Sequence, residues 1–264
     1  MSDREAVLQP AVIAQSNAGG AWIVRTRISH TPRLRLFVFA SAGRGPAMFR
    51  PWAPHIHPDV DLCIVQLPGR EARWNESPLL DLGEVCRAVA EAMRHDLDRP
   101  FALFGHSLGA LIAFEVSRHL RLSMKVIPRA LLVAAHRAPH LPNPLPRIGR
   151  LPDPEFLQSL NARYGGLPEA AMAHKELMDL ILPTLKADYD MAENYRYADG
   201  EPLPCAISVF GGVDDQHVSE EELVSWRRHT SATFRHRMMP GGHFFVDHMR
   251  GSLIPLLLGD LQIL

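Results

Sequence analysis

Short apolar runs alternate with amphipathic stretches along most of this chain. Residues 34–40 and 60–67 are rich in aliphatic and aromatic side chains and end at clusters of turn-forming residues, which predicts two buried strands. Residues 81–97 instead carry apolar side chains at helical spacing, which predicts a helix with Asp81 as its N-cap. The same criteria predict further strands at 101–104, 130–134, 206–210 and 233–238, and helices at 108–120, 220–229 and after His243.

Strands that alternate with helices imply an α/β fold, in which a mostly parallel central sheet is flanked by helices on both faces. The alternation is interrupted at about residues 140–199, where the chain is rich in Pro and Leu and two helices are predicted, near 153–164 and 174–195. We interpret this block as an inserted helical lid, because segments that gate substrates sit above the carboxyl ends of the strands in such sheets. A decorative insertion is the alternative.

The pattern divides the chain into two parts. Residues 1–32 form an N-terminal leader that we expect to be partly disordered, and residues 33–264 form one domain of ordinary size that includes the helical block. The leader lacks the apolar core of a signal peptide, and no apolar run in the chain is long enough to span a bilayer. We therefore expect a cytoplasmic protein that makes no membrane contact and acts as a monomer.

Composition and charge exclude several functional classes. The formal net charge is −1 at pH 7 without any run of like charges, which argues against a nucleic-acid partner. The three cysteines lie far apart and leave an odd thiol, as expected in a reducing compartment. The 14 histidines include no H-E-x-x-H motif or other set with metal-ligand spacing, so we predict neither a metal site nor a cofactor.

The clearest chemical signal is the pentapeptide Gly105-His106-Ser107-Leu108-Gly109, a G-x-S-x-G motif between a predicted strand and a predicted helix. That context is the one in which the motif forms the nucleophile elbow of the α/β-hydrolase fold. Ser107 would sit on a strained turn, and the glycines would let the strand and helix approach closely. We predict that Ser107 is a catalytic nucleophile.

A serine hydroxyl needs a base to remove its proton, and this fold orders its triad Ser, then Asp or Glu, then His. His243 follows a Gly-Gly loop after the last predicted strand, whereas its competitor His248 would lie inside the final helix. Two aspartates compete for the third position. Asp215 has a glycine three residues before it and a valine three residues after it, as is common in this fold, whereas Asp214 has only the glycine. We favour Asp215.

Two backbone amides should stabilise the oxyanion of the tetrahedral intermediate. One is the N–H of Leu108, directly after the nucleophile. The other should come from the loop after the first predicted strand, where the small residues near Ala42 are compatible with the tight turn required.

Several blocks around these residues resemble the type II thioesterases of polyketide and non-ribosomal peptide biosynthesis. The matching blocks are residues 65–73 (VQLPGREAR), 99–114 (RPFALFGHSLGALIAF), 182–188 (LPTLKAD) and 240–245 (PGGHFF). They occur in order from about residue 33 to the end of the chain. The elbow alone indicates a hydrolase, whereas the Q-L-P-G-R-E and L-P-x-L-x-A-D blocks select this family.

The resemblance implies a serine hydrolase that cleaves acyl thioesters from the phosphopantetheine arms of acyl or peptidyl carrier proteins through an acyl-serine intermediate. Such enzymes edit antibiotic assembly lines. Alternatives that share the triad chemistry are an acyl-CoA thioesterase, a carboxylesterase and an acyltransferase. A non-catalytic protein that only binds carriers is a further alternative, against which the complete Ser/Asp/His set argues.

The loop after the first strand departs from the family pattern. The family reads F-P-x-A-G-G there, whereas this chain has Ala40 in place of the proline and Arg44 in place of the second glycine. Ala42 still occupies the position whose amide lines the oxyanion hole in the family. Arg44 could contact a pantetheine phosphate or an acidic acyl group, or it could be a solvated surface residue.

Overall fold

The computed structural model describes residues 22–27, 32–164 and 174–263 of the chain. Its centre is a seven-stranded sheet with the order β1-β3-β2-β4-β5-β6-β7, in which β1 alone runs antiparallel to its neighbour. The strands are β1 Ile23–Arg27, β2 Leu34–Phe39, β3 Val60–Val65, β4 Phe101–His106, β5 Ala130–Ala134, β6 Ala206–Gly212 and β7 Phe234–Met239.

Helices cover both faces of this sheet. They are α1 Leu82–Met93, α2 Leu108–His119, α3 Asp153–Tyr164, α4 Lys175–Asn194, α5 Glu220–Val224, α6 Phe245–His248 and α7 Arg250–Asp260. Asp81 caps α1, because its side chain accepts a hydrogen bond from the backbone N–H of Glu84 at 2.8 Å. The α/β-hydrolase fold expected from the sequence is confirmed.

Side chains that alternate along the strands build two separate cores. In β2, Phe37 and Phe39 join the core beneath α1 and α2, whereas Leu36 and Val38 join the core beneath α7. All six residues of β2 are buried, as expected for a strand covered on both faces. The sheet is therefore a rigid support for the loops at its carboxyl edge.

The helical block between β5 and β6 has its own small core. The apolar residues of α3 and α4 that fill it include Phe156, Leu160, Met178, Leu182 and Leu185. The two helices predicted in this block are both found within one residue of their expected bounds. Residues 165–173, which connect them, lie outside the described residues.

Strand β1 was missed by the sequence analysis, because it falls within the predicted leader. Arg25 and Arg27 interrupt its apolar pattern, and Arg25 forms ion pairs with Asp61 and Asp96. Charged side chains are typical of strands at the edge of a sheet, where they discourage pairing with other chains. The expected partial disorder of residues 1–32 stays a prediction, since residues 1–21 and 28–31 lie outside the described residues.

Candidate active site

Ser107 occupies the sharp turn between β4 and α2. Its backbone has φ 54° and ψ −122°, in the region that residues with a side chain rarely adopt. The turn is held on both sides, because the Ser107 N–H donates to the carbonyl of Ala134 at 2.8 Å and the Ser107 carbonyl accepts from the N–H of Ala110 at 2.9 Å. The fold therefore imposes the strained conformation that presents the hydroxyl at the carboxyl edge of the sheet.

Two glycines make this turn possible. A Cβ at Gly105 would lie 2.2 Å from the carbonyl oxygen of Gly109, and a Cβ at Gly109 would lie 2.2 Å from that of Phe39. Neither backbone could yield without moving a strand. The glycines of the elbow are thus required by the close approach of α2 to β4 and β2.

The structure brings three of the predicted site residues together in one hydrogen-bonded chain. His243 Nε2 lies 3.0 Å from Ser107 Oγ, and His243 Nδ1 lies 2.8 Å from Asp215 Oδ2. Because an ionised carboxylate can only accept, Nδ1 carries the proton, which leaves Nε2 free to accept from the serine hydroxyl. This is the arrangement in which a histidine can act as a base towards serine.

The Asp215 carboxylate is fully buried and His243 nearly so, with side chains 0% and 8% exposed. Burial opposes ionisation of Asp215, but its hydrogen bond to His243 and the bond from the His217 N–H outweigh burial and keep the pKa of Asp215 below its ordinary value. Asp215 is therefore ionised at neutral pH, where it can orient His243 and stabilise its protonated form.

The competing residues lie elsewhere. Asp214 is exposed in the turn after β6, and its backbone N–H donates to the carbonyl of Gly241, in the loop after β7, at 3.0 Å. His248 is exposed at the end of α6. The geometry thus favours Asp215 over Asp214 and His243 over His248.

Two neighbours of His243 were not identified from the sequence. His106 is fully buried and donates from Nε2 to the carbonyl oxygen of His243 at 2.8 Å. Burial and the charge of His243 lower the pKa of His106 to about 3, so it is neutral. Tyr164, at the end of α3, places its ring 4.9 Å from the ring of His243. The one sequence signal for the contact between His106 and His243 was that His106 directly precedes Ser107.

Ala42 and Leu108 line the same cavity of about 100 Å³ as Ser107 and His243. Leu108 begins α2, and the first N–H groups of a helix have no partner within it. The helix also directs the positive end of its dipole towards Ser107. Both residues predicted to donate to the oxyanion thus line the cavity that contains Ser107.

The Arg44 side chain is held in an ion pair and does not extend freely into solvent. Its guanidinium contacts both oxygens of Asp247, at 2.7 and 3.0 Å, and about a third of the side chain is exposed. Asp247 lies in α6, just after the loop that carries His243. The arginine that distinguishes this chain from the family pattern therefore joins the loop of Ala42 to the loop of His243.

Among the described residues, no three His, Cys, Asp or Glu side chains cluster in a way that could hold a metal ion. Within the same ranges, none of the helices is both long and apolar enough to cross a bilayer.

Residues 34–254 match the family model described as a thioesterase domain. The gramicidin S biosynthesis protein GrsT of Aneurinibacillus migulanus is 36% identical over 242 residues, which cover 92% of this chain and 94% of that protein. Thioesterase PikA5 of Streptomyces venezuelae is 35% identical over 86% of this chain and 81% of that protein.

A solved structure with the same architecture is the type II thioesterase BorB from the borrelidin biosynthetic cluster. It superposes with a TM-score of 0.82 at 31% sequence identity, covering 93% of this chain and 98% of that one. The resemblance found in the sequence is therefore confirmed over nearly the whole domain. The chain belongs to the thioesterase family and, within it, to the type II thioesterases.

Proposed function

We propose that this enzyme hydrolyses acyl thioesters carried on the phosphopantetheine arms of acyl or peptidyl carrier proteins, with Ser107, His243 and Asp215 as its catalytic triad. The observation that carries the proposal is the continuous hydrogen-bonded chain from Ser107 Oγ through His243 to the buried Asp215 carboxylate. The relatives from gramicidin S and borrelidin biosynthesis support the carrier-bound substrate class.

In the first half of the cycle, His243 Nε2 takes the hydroxyl proton as Ser107 Oγ attacks the thioester carbonyl. The carbonyl oxygen becomes an oxyanion that accepts hydrogen bonds from the amides of Ala42 and Leu108. The C–S bond then breaks, His243 returns its proton to the departing thiolate, and the acyl group remains on Ser107 as an ester.

In the second half, a water molecule takes the place of the thiol. His243 removes a proton from this water, whose oxygen attacks the acyl-serine carbonyl, and the same two amides bind the second oxyanion. Collapse releases the carboxylic acid and returns the proton to Ser107. Asp215 stays ionised and keeps His243 in the reactive tautomer throughout.

We further propose that α3 and α4 act as a lid. Tyr164 from α3 and Tyr189 and Ala192 from α4 close the cavity above Ser107. The volume of about 100 Å³ is smaller than ligand pockets, which are roughly 300–1,000 Å³. Separation of these helices would widen the cavity for an acyl chain attached to a pantetheine arm.

The state of the cysteines supports a proposal about the cell compartment. Cys63, Cys86 and Cys205 are buried, unpaired thiols, and burial raises the pKa of Cys63 to about 12. Such thiols suit a reducing environment, and we propose that the enzyme acts in the cytoplasm as a monomer.

The test compares three thioester or ester substrates with the same acyl group, held on a carrier protein, on coenzyme A and on p-nitrophenol. We expect the highest kcat/KM with the carrier, because only the carrier adds a protein surface to the acyl-pantetheine group. Equal or higher kcat/KM with coenzyme A or the p-nitrophenyl ester would favour a general thioesterase or esterase. Transfer of the acyl group to an added alcohol or amine in preference to water would favour an acyltransferase.

A further inference from the structure

The two sequence blocks that select this family meet in the interior of the protein. Arg70, from the Q-L-P-G-R-E block, forms a two-pronged ion pair with Asp188, from the L-P-x-L-x-A-D block, at 2.7 and 2.9 Å. The side chains are 6% and 0% exposed. A charge pair removed from water to this degree is costly unless its geometry is good and its remaining atoms are hydrogen-bonded. The pair therefore calls for a role beyond stability.

The partners of this pair lie in the loop that carries Ala42. Asp188 Oδ2 accepts a hydrogen bond from the N–H of Gly43 at 2.7 Å, and an Arg70 N–H donates to the carbonyl of Arg44 at 3.3 Å. The ion pair thus holds the Ala42–Gly43 peptide group, which directly follows Ala42, and the Arg44–Gly45 peptide group two positions further on.

Packing against α4 reinforces this contact. Gly43 has φ +71°, a left-handed conformation that glycine favours, and a Cβ there would lie 2.6 Å from Leu185 Cδ1. Leu185 lies in α4, three residues before Asp188. The conformation of the loop therefore depends on where α4 is seated.

We propose that Asp188 and Arg70 are positioning residues that hold the Ala42 N–H in the oxyanion hole and couple the seating of the lid helix α4 to catalysis. This inference rests on the proposed oxyanion role of Ala42. Preorganised donors are effective only when aimed at the place where charge develops, and loss of one such donor costs roughly 100- to 1,000-fold in kcat. A donor that is displaced but still present should cost less than that.

The informative variant is Asp188→Asn, which keeps the size of the side chain. An amide has one oxygen and one NH₂ group, so an Arg70 N–H faces a donor whichever way the amide turns, and in one of the two orientations the Gly43 N–H does so as well. We expect kcat to fall about 10- to 100-fold while KM changes less than threefold, on the reasoning that oxyanion contacts form only in the transition state.

Thr184 provides a matched control on the same helix. It lies one turn before Asp188, is also buried, and donates from Oγ1 to the carbonyl of Gly69 at 2.6 Å. Thr184→Val therefore removes an anchor of α4 to the loop after β3 without removing a hydrogen bond to the loop of Ala42. We expect Thr184→Val to lose thermal stability but to keep kcat within about threefold of the wild type.

A pair of inhibitors separates positioning from general damage. A trifluoromethyl ketone analogue of the acyl-pantetheine forms a tetrahedral adduct with an oxyanion, whereas the corresponding amide binds without reaction. Asp188→Asn should weaken the binding of the ketone by the same factor by which it lowers kcat, and it should leave the affinity for the amide unchanged. If Asp188→Asn is too unstable to purify, the double variant Arg70→Gln/Asp188→Asn replaces it, because it buries no charge. We expect the double variant to recover stability but to keep the lower kcat and the weaker binding of the ketone.

A folded Asp188→Asn enzyme, or the folded double variant, with kcat and ketone affinity within twofold of the wild type would overturn the inference. Equal losses of kcat in Thr184→Val and Asp188→Asn would assign the effect to the seating of α4 alone and would overturn the positioning role of Asp188 and Arg70. Ser107→Ala is measured in parallel. If Ser107→Ala retained activity, the proposed triad would be wrong, whereas an inactive Ser107→Ala beside a fully active Asp188→Asn would exclude the positioning role alone.

Discussion

The elbow that carries Ser107 and the loop that carries Ala42 are held in place in different ways. The elbow depends on close neighbours in sequence, since Gly105, Ser107 and Gly109 belong to one pentapeptide. The loop depends on distant residues, since Gly43 is bonded to Asp188, 145 positions further along the chain. The proposed nucleophile therefore lies in a local motif, whereas the proposed oxyanion loop depends on a contact with a distant helix.

This difference has a functional consequence. The elbow is fixed by the close approach of α2 to β4 and β2. The loop of Ala42 is linked to α4, which also covers the cavity. In the proposed mechanism, movement of α4 on substrate entry would therefore displace the Ala42 amide while leaving Ser107 in place.

The elbow side of the comparison is tested most strongly by Ser107→Ala and His243→Ala. Each should lower kcat by roughly 10⁶-fold, and the double variant should lose little more, because the two residues act as one unit. Steady-state hydrolysis of an acyl-carrier protein measures all three. Independent, multiplicative losses would contradict a shared role.

Asp215→Asn should have the next largest effect, with kcat lower by roughly 10⁴-fold, because an amide can hold His243 in the wrong tautomer. Asp214→Asn is the matched control, since Asp214 is the exposed neighbour whose backbone alone takes part in the turn. It should keep kcat within about twofold. A larger loss in Asp214→Asn than in Asp215→Asn would reverse the assignment.

The oxyanion-loop side is tested by Gly43→Ala. The left-handed φ and the 2.6 Å approach to Leu185 should displace the loop, and we expect a fall in kcat of about 10- to 100-fold with the triad intact. Gly251→Ala is the control, because a Cβ there meets nothing within 4 Å. A Gly43→Ala enzyme with normal kcat would show that the loop tolerates displacement.

The last effect is on acid stability and not on kcat, and it comes from His106 in the elbow. Its pKa is about 3 in the folded protein and about 6.5 when unfolded, so below pH 6.5 the unfolded state binds a proton that the folded state does not. Stability is therefore lost as pH falls from 6.5 towards 3, by up to about 1.4 kcal/mol per pH unit.

His106→Gln keeps a donor for the carbonyl of His243 but cannot titrate. The free energy of unfolding of this variant should therefore depend less steeply on pH, because up to one proton fewer is taken up on unfolding. Urea titrations between pH 6.5 and 4 measure this slope. Parallel curves for the two proteins would mean that His106 takes up its proton equally well in both states.

Features that depend on residues close together in the chain could be predicted from the sequence. The alternating pattern predicted six of the seven strands and the helices between them, and the spacing of glycines around Ser107 predicted the elbow. The order of Ser107, Asp215 and His243 along the chain then predicted the residues that the structure brings together.

The sequence did not suffice where contacts join distant segments. Nothing local connects Arg70 to Asp188, and both read as ordinary charged residues until the fold buries them together. Helical spacing likewise could not tell which face of α4 meets the cavity. Met178 and Leu185 pack in the core of the helical block, whereas Tyr189 lines the cavity.

The central claim is that thioester cleavage passes through an acyl group on Ser107. The most direct measurement is acid quenching during turnover of an acyl-carrier protein, followed by mass spectrometry of the peptide that contains Ser107. We predict that the acyl mass is found on Ser107 in the wild type, and that Ser107→Ala yields neither this adduct nor free acid. Release of acid by Ser107→Ala at the wild-type rate, without any acyl-enzyme, would contradict the account.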